Sequence, residues 1–158
     1  MRVLAIDPGY GRCGVAVVEK KKGFETLVYS ACIETSAKKE FAARLATVVK
    51  ECSSLIQKYK PDAVALERLF FTKNQKTAMR VAEVRGALIA EAAKRGLPVH
   101  EYTPSEVKSA VTSFGRASKQ DVAMMLRALL KIKKNIKYDD EWDSIAVAVT
   151  HLARTKNA

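Results

Sequence analysis

The chain has 158 residues, 48% of them hydrophobic, and carries 28 Lys and Arg against 17 Asp and Glu, a formal net charge of +11. That length fits one domain, residues 1–158, around one core, and the charge points to a polyanionic partner, nucleic acid above all, although a ribosome-like binder or a charge kept for solubility has the same composition. No apolar run approaches the about 18 residues of a membrane helix, Asp7 comes too early for a signal peptide, and Cys13, Cys32 and Cys52, without a C-x-x-C pair, fit free thiols in a reducing cytosol rather than a zinc knuckle. The expectation is a soluble, cytoplasmic protein with no membrane contact.

Val3-Leu4-Ala5-Ile6 is a short apolar run that ends in Asp7, and Pro8-Gly9 then turns the chain. Such a run reads as a buried strand that carries Asp7 to the surface. Gly9, Gly11 and Gly14 follow, read either as an irregular hairpin or as a turn open to a phosphate. Val15–Val18 and Phe24–Ile33 read as two more strands around a Lys20-Lys21-Lys22-Gly23 turn, which makes an antiparallel meander of three. Ser36 is expected to cap a helix running to Tyr59, with Phe41, Leu45, Val48, Val49, Cys52, Leu55, Ile56 and Tyr59 along one stripe. Pro61-Asp62-Ala63-Val64-Ala65-Leu66-Glu67 repeats the opening pattern, an apolar run that ends in an acid.

A strand, a helix and a strand make a crossover, and such strands run parallel when they share a sheet. Asp7 and Glu67 then fall at one sheet edge, where two carboxylates repel unless a proton or a cation is shared. Beyond Glu67, Phe70 and Phe71 cannot both face the core of an extended segment; one is either a packing residue or a platform for a base. Gln75–Lys94 reads as a helix apolar around much of its circumference, expected to be central or to meet a partner subunit. Leu97–Tyr102 reads as a strand. Thr103-Pro104-Ser105-Glu106 and Ser118-Lys119-Gln120-Asp121 have capping-box spacing and start helices on either side of a Ser113–Ala117 loop. A basic connector, Lys131–Lys137, leads to the acids Asp139, Asp140, Glu141 and Asp143 and a last helix through Leu152.

Asp140 and Asp143 are three apart at a helix start and share a face. Acids there also suit the helix dipole, but beside Asp7 and Glu67 in so basic a chain they need a second explanation. Carboxylates without Cys or His neighbours favour hard divalent ions, Mg²⁺ or Mn²⁺. Two such ions about 4 Å apart activate a water and stabilise the leaving oxygen of a phosphodiester. His100 and His151 read as packing or capping residues.

Val3–Gly9, Glu67-Arg68-Leu69-Phe70-Phe71 with Lys73-Asn74, Arg85-Gly86, Pro98–Val111, Ser118-Lys119-Gln120, and Asp140-x-x-Asp143 through Thr150-His151 together resemble the RuvC family of bacterial Holliday-junction resolvases. The Glu-Arg-x-Phe-Phe-x-Lys-Asn block is the specific part. The resemblance implies an α/β fold of the RNase H-like kind: a five-stranded mixed sheet, three antiparallel strands then two parallel, with helices on both faces. It implies a homodimer that nicks opposed strands of four-way DNA junctions in recombination and repair, with Mg²⁺ as cofactor (Mn²⁺ substituting), two ions per site, and the RuvA-RuvB branch-migration complex as partner. It also implies that Asp7, Glu67, Asp140 and Asp143 are the catalytic, metal-binding acids. Phe70 matches a base-contacting aromatic, and Lys108 and Lys119 match basic residues near the scissile phosphate. Arg68, Phe71, Lys73, Asn74 and Arg116 complete the expected DNA-binding set. In two places the chain departs from the family pattern: Cys13 stands where threonine is common, and Asp139-Asp140-Glu141-Trp142-Asp143-Ser144 replaces an alanine-rich surround. Arg12-x-Gly14-Val15-Ala16-Val17 also resembles the related YqgF nucleases, which lack the central block. The rival readings are an RNase H-like nuclease acting on RNA and a non-catalytic junction binder.

Overall fold

The computed structural model describes residues 1–68 and 74–155. In chain order the elements are β1 (Arg2–Asp7), β2 (Arg12–Lys21), β3 (Phe24–Glu34), α1 (Phe41–Tyr59), β4 (Ala63–Glu67), α2 (Gln75–Lys94), β5 (Val99–Tyr102), α3 (Pro104–Thr112), α4 (Lys119–Leu129) and α5 (Asp139–Arg154). The sheet order is β3-β2-β1-β4-β5. β1, β2 and β3 pair antiparallel, while β4 joins β1 and β5 joins β4 in parallel, as the meander and the crossover predict.

Alternation along the strands divides the core in two. Leu4, Ile6, Val15, Val17, Val64 and Leu66 pack against α1 and α2, with Val48, Cys52, Val84 and Leu88. Val3, Ala5, Ala16, Val18 and Ala65 face the other side, with α5 and residues of α3 and α4. The register makes that side distinctive: Ala5 lies opposite both Ala16 and Ala65. Three methyl side chains therefore form a low row across β2, β1 and β4. α5 packs over these strands and is buried from Ser144 to Leu152, with its own Ala146 and Ala148 in the contact. Small residues on both sides let a helix and a sheet approach closely.

Both expected capping boxes form: Thr103 with Glu106 at the start of α3, and Ser118 with Asp121 at the start of α4. The hairpin between β2 and β3 turns on Lys22 and Gly23, both left-handed (φ 51° and 81°), the two-residue turn whose twist suits antiparallel strands.

The expected Ser36 cap does not form. α1 begins at Phe41 after Glu40, with no side-chain cap, and Ser36 instead opens a turn in which its carbonyl accepts from Lys39 N–H at 3.1 Å. Tertiary contacts fix the helix start. Phe41 meets the Tyr10 ring edge-on at 5.6 Å, and Arg80 lies 4.1 Å over Phe41. Arg44 donates to Thr35 Oγ1 at 3.0 Å. α2 is also less enclosed than its composition implies. Val84, Leu88 and Ala92 are buried, whereas Met79, Ala82, Gly86, Ala90 and Ala93 are exposed along one face.

Candidate active site

The carboxyl ends of β1 and β4 reach the same edge of the sheet. Ile6 is in register with Leu66, so Asp7 and Glu67, one residue on, leave neighbouring parallel strands at one level. α5 brings the other acids, with Asp139, Asp140 and Glu141 in its first turn and Asp143 following. Asp140 and Asp143 share a face, and Glu141 turns away from them. Its Oε1 accepts from Ser30 Oγ at 2.6 Å and pairs with Lys134 Nζ at 2.5 Å, and Lys134 also donates to the Ser30 carbonyl at 2.7 Å. Glu141 is thus a buried strut between α5, β3 and the basic connector. Asp139 lies at the surface, its carboxylate 3.5 Å from Lys119 Nζ.

The electrostatics show that the acids share one neighbourhood. Burial pushes the Asp7 carboxyl up to about 8, and Asp143, Glu67 and Asp140 add to the rise while Lys119 opposes it. Burial likewise raises Glu67, with Asp143 adding and Lys119 and Lys108 opposing. Asp143 is raised by burial, against the pull of Lys119 at 3.3 Å. Asp140 lies 3.4 Å from Arg12 Nε. Buried carboxylates that raise one another form a site that a cation stabilises. By chemistry the donors fit a hard divalent ion: all are carboxylates, with no thiolate or imidazole among them. As placed, the side chains do not close into a shell. Among the described residues no three His, Cys, Asp or Glu side chains form an ion-holding group, and Arg12 and Lys119 answer two of the carboxylates.

Two glycines of the first loop, Gly9 and Gly14, have a packing role. β2 already begins at Arg12, so Gly14 is a strand residue opposite Asp7. A Cβ on Gly14 would collide with the Asp140 carbonyl, and one on Gly9 with the Arg12 carbonyl. The irregular-hairpin reading is the one with a visible packing reason: Gly9 and Gly14 have no side chain because the loop and α5 need the space.

Of the expected DNA-binding residues, Lys108 and Lys119 line a cavity that also holds Glu67 and Asp143. Arg116 is exposed on the α3–α4 loop and outside that lining. Arg68 follows β4, with Nε 4.0 Å from Glu101, and its N–H donates to the Tyr102 carbonyl at 2.7 Å. Asn74 caps α2, its side chain accepting from Thr77 N–H at 3.2 Å. Phe70, Phe71 and Lys73 lie outside the described residues. Sequence reasoning missed Arg12 as a partner of Asp140 and Trp142 as a cavity wall. The second strand begins at Arg12 rather than at the expected Val15, which is why Arg12 faces the acids. For Trp142 the signal was an indole between two acids on a helix.

The sheet order, the crossover and the acids at two parallel strand ends and a helix start define an RNase H-like fold. Residues 3–151 match the sequence profile of the family described as Crossover junction endodeoxyribonuclease RuvC. The crossover junction endodeoxyribonuclease RuvC of Moorella thermoacetica is 46% identical over 152 residues, covering 96% of this chain and 90% of its own. That of Petrotoga mobilis is 42% identical, covering 96% and 93%. Among solved structures, T. thermophilus RuvC in complex with Holliday junction substrate superposes with a TM-score of 0.90 at 31% identity, covering 96% of this chain and 93% of that one. The yeast mitochondrial Holliday junction resolvase Ydc2 shares the fold, with a TM-score of 0.71 at 16% identity. The chain belongs to the RuvC family of crossover junction endodeoxyribonucleases. No helix among the described residues is long and apolar enough to cross a membrane.

Proposed function

We propose that this protein, a single nuclease domain, resolves four-way DNA junctions by cutting phosphodiester bonds at the Asp7 edge of the sheet. The observation that carries the reading is the placement of Asp7 and Glu67 at the ends of neighbouring parallel strands beside Asp140 and Asp143 of α5, in a chain of net charge +11. The basic surface holds the DNA backbone, and the carboxylates are the groups that hold Mg²⁺ or Mn²⁺. Such ions, when bound, supply an activated water and stabilise the leaving oxygen. Asp7 ends β1 beside Glu67 at the end of β4, and Asp140 and Asp143 come from α5 to the same neighbourhood. Lys119, beside Asp143, moves from its carboxylate partners to the incoming phosphate, and Lys108 adds charge to the same wall.

Junction cutting needs two sites that act on opposed strands, and a homodimer supplies them through a two-fold axis. The exposed face of α2, with Met79, Ala82, Gly86, Ala90 and Ala93, supports such a pairing. It carries mostly small apolar residues with Met79 among them, and a Cβ at Gly86 would meet nothing within 4 Å. The test is cleavage of labelled junction and linear duplex with and without Mg²⁺, alongside the mass in solution. Mg²⁺-dependent paired nicks in the junction by a dimer are expected; equal cutting of linear duplex or of an RNA–DNA hybrid overturns the reading.

A further inference from the structure

Next to the acids is an open cavity of about 360 Å³ between α3, α4 and α5. Its lining mixes two chemistries. Glu67, Asp143, Lys108 and Lys119 are the groups assigned above to metal and phosphate, and Val107, Val122, Ala146 and the indole of Trp142 are apolar. Arg127 caps that indole, its guanidinium 5.2 Å from the ring. Gln120, in the first turn of α4, is exposed and lines the same space. A ligand that fits both kinds of wall carries a phosphate and a flat, largely apolar group with polar edges. That is a nucleotide.

Resting on the junction-cutting reading, we propose that this cavity takes the nucleotide flanking the phosphate that is cut, with its base against Trp142 and its edge within reach of Gln120. Trp142 is then a positioning residue for specificity: it holds the base beside the cut where Gln120 reads its edge. Aromatic contact with a base is tolerant of sequence, whereas an amide reads the donor and acceptor pattern of its edge. Together they give a graded preference rather than an absolute one. The cavity is open, so the nucleotide enters it unpaired or at a distorted step, as the centre of a junction allows.

The chain contains one tryptophan, so its emission reports on this cavity alone. The experiment titrates the cleavage-defective Asp7→Asn protein with fluorescein-labelled junction, following anisotropy for binding and indole emission for occupancy, in Mg²⁺ buffer. A loss of emission with the same midpoint as the anisotropy is expected. A second arm measures kcat/KM for the otherwise wild-type protein on junctions that differ only in the bases flanking the cut. The spread of rates across that panel is expected to shrink about tenfold in Trp142→Ala and to persist in Trp142→Phe. Full anisotropy change with unaltered emission makes Trp142 a packing residue and overturns this proposal alone, as does an unchanged spread in Trp142→Ala. Absence of junction binding overturns the functional reading and this proposal with it.

Discussion

Gly14 lies so close to Asp140 that the α-hydrogen of one residue and the carbonyl oxygen of the other leave no room for a methyl group. β2 and the first turn of α5 are thereby joined at the point where the helix presents its acids. Gly14→Ala must move the start of α5, because the obstacle is backbone and cannot rotate aside. The expected cost in stability is about 1–3 kcal/mol, as for other overpacked sites. The loss in junction cleavage is about 100-fold or more, since misplacing reacting groups by an ångström has that scale. Denaturant unfolding and single-turnover cleavage, measured on the same preparation, check both.

Asp7 is buried and sits among like charges, and its carboxyl is raised from 3.8 to about 8. In the folded chain it holds a proton more strongly than in the unfolded chain, so without divalent ions stability falls as pH rises through that range. Asp7→Asn removes the term. The variant should melt higher than the wild-type protein at pH 9 in EDTA and similarly at pH 4, bind junctions normally, and cut none. Thermal melts at the two pH values and a gel-shift titration decide the matter, and retained cutting removes Asp7 from the mechanism.

Lys119 is shared between Asp143 and Asp139. If it moves to the phosphate when DNA binds, Lys119→Ala loses one counterion release. The slope of log affinity against log salt then becomes shallower by about 0.9. Junction binding followed at several KCl concentrations tests this, and an unchanged slope places Lys119 off the phosphate path.

His151 gives the fold its own pH dependence. Burial, with His100 as the second cause, lowers it from 6.5 to about 4. The His100 ring is 4.7 Å away, and the Tyr102 hydroxyl lies 2.9 Å from Nδ1. Thr155 Oγ1 already donates to the His151 carbonyl, so it is free to accept from Nε2 at 3.4 Å while Tyr102 donates to Nδ1. Both bonds suit the neutral ring. Because the folded value is the lower one, this contribution is complete above pH 6.5 and is lost as pH falls towards 4, by up to about 3 kcal/mol. Urea unfolding at pH 7 and pH 4.5 should show a steeper loss in the wild-type protein than in His151→Gln.

Much of this was legible from one dimension. Asp7 and Glu67 could be placed together because a buried strand leaves a plain apolar signature and a crossover fixes its direction. The spacing of Asp140 and Asp143 gave their shared face. Ser36 misled because capping residues also make turns, and the Tyr10, Phe41 and Arg80 contacts that fix α1 are distant in sequence. The first-loop glycines left two readings open because a glycine that admits a ligand and one that admits another strand or helix look alike. Asp140 and Glu141 differ only in which way one helical step points them, and Ser30, which claims Glu141, is far along the chain.

The alanine row formed by Ala16, Ala5 and Ala65 acts as a gauge for the thickness of the molecule at its working end. Opposite it, Leu4, Val17 and Val64 face α1 and α2, and a methyl group gained or lost there registers as stability. On the alanine side an added methyl lifts α5, and with it Asp140 and Asp143, from the strand ends. The two faces of one sheet are thus under different constraints. One tolerates drift in side-chain size while the core stays filled; on the other, the position of the α5 acids is expected to change before the fold does.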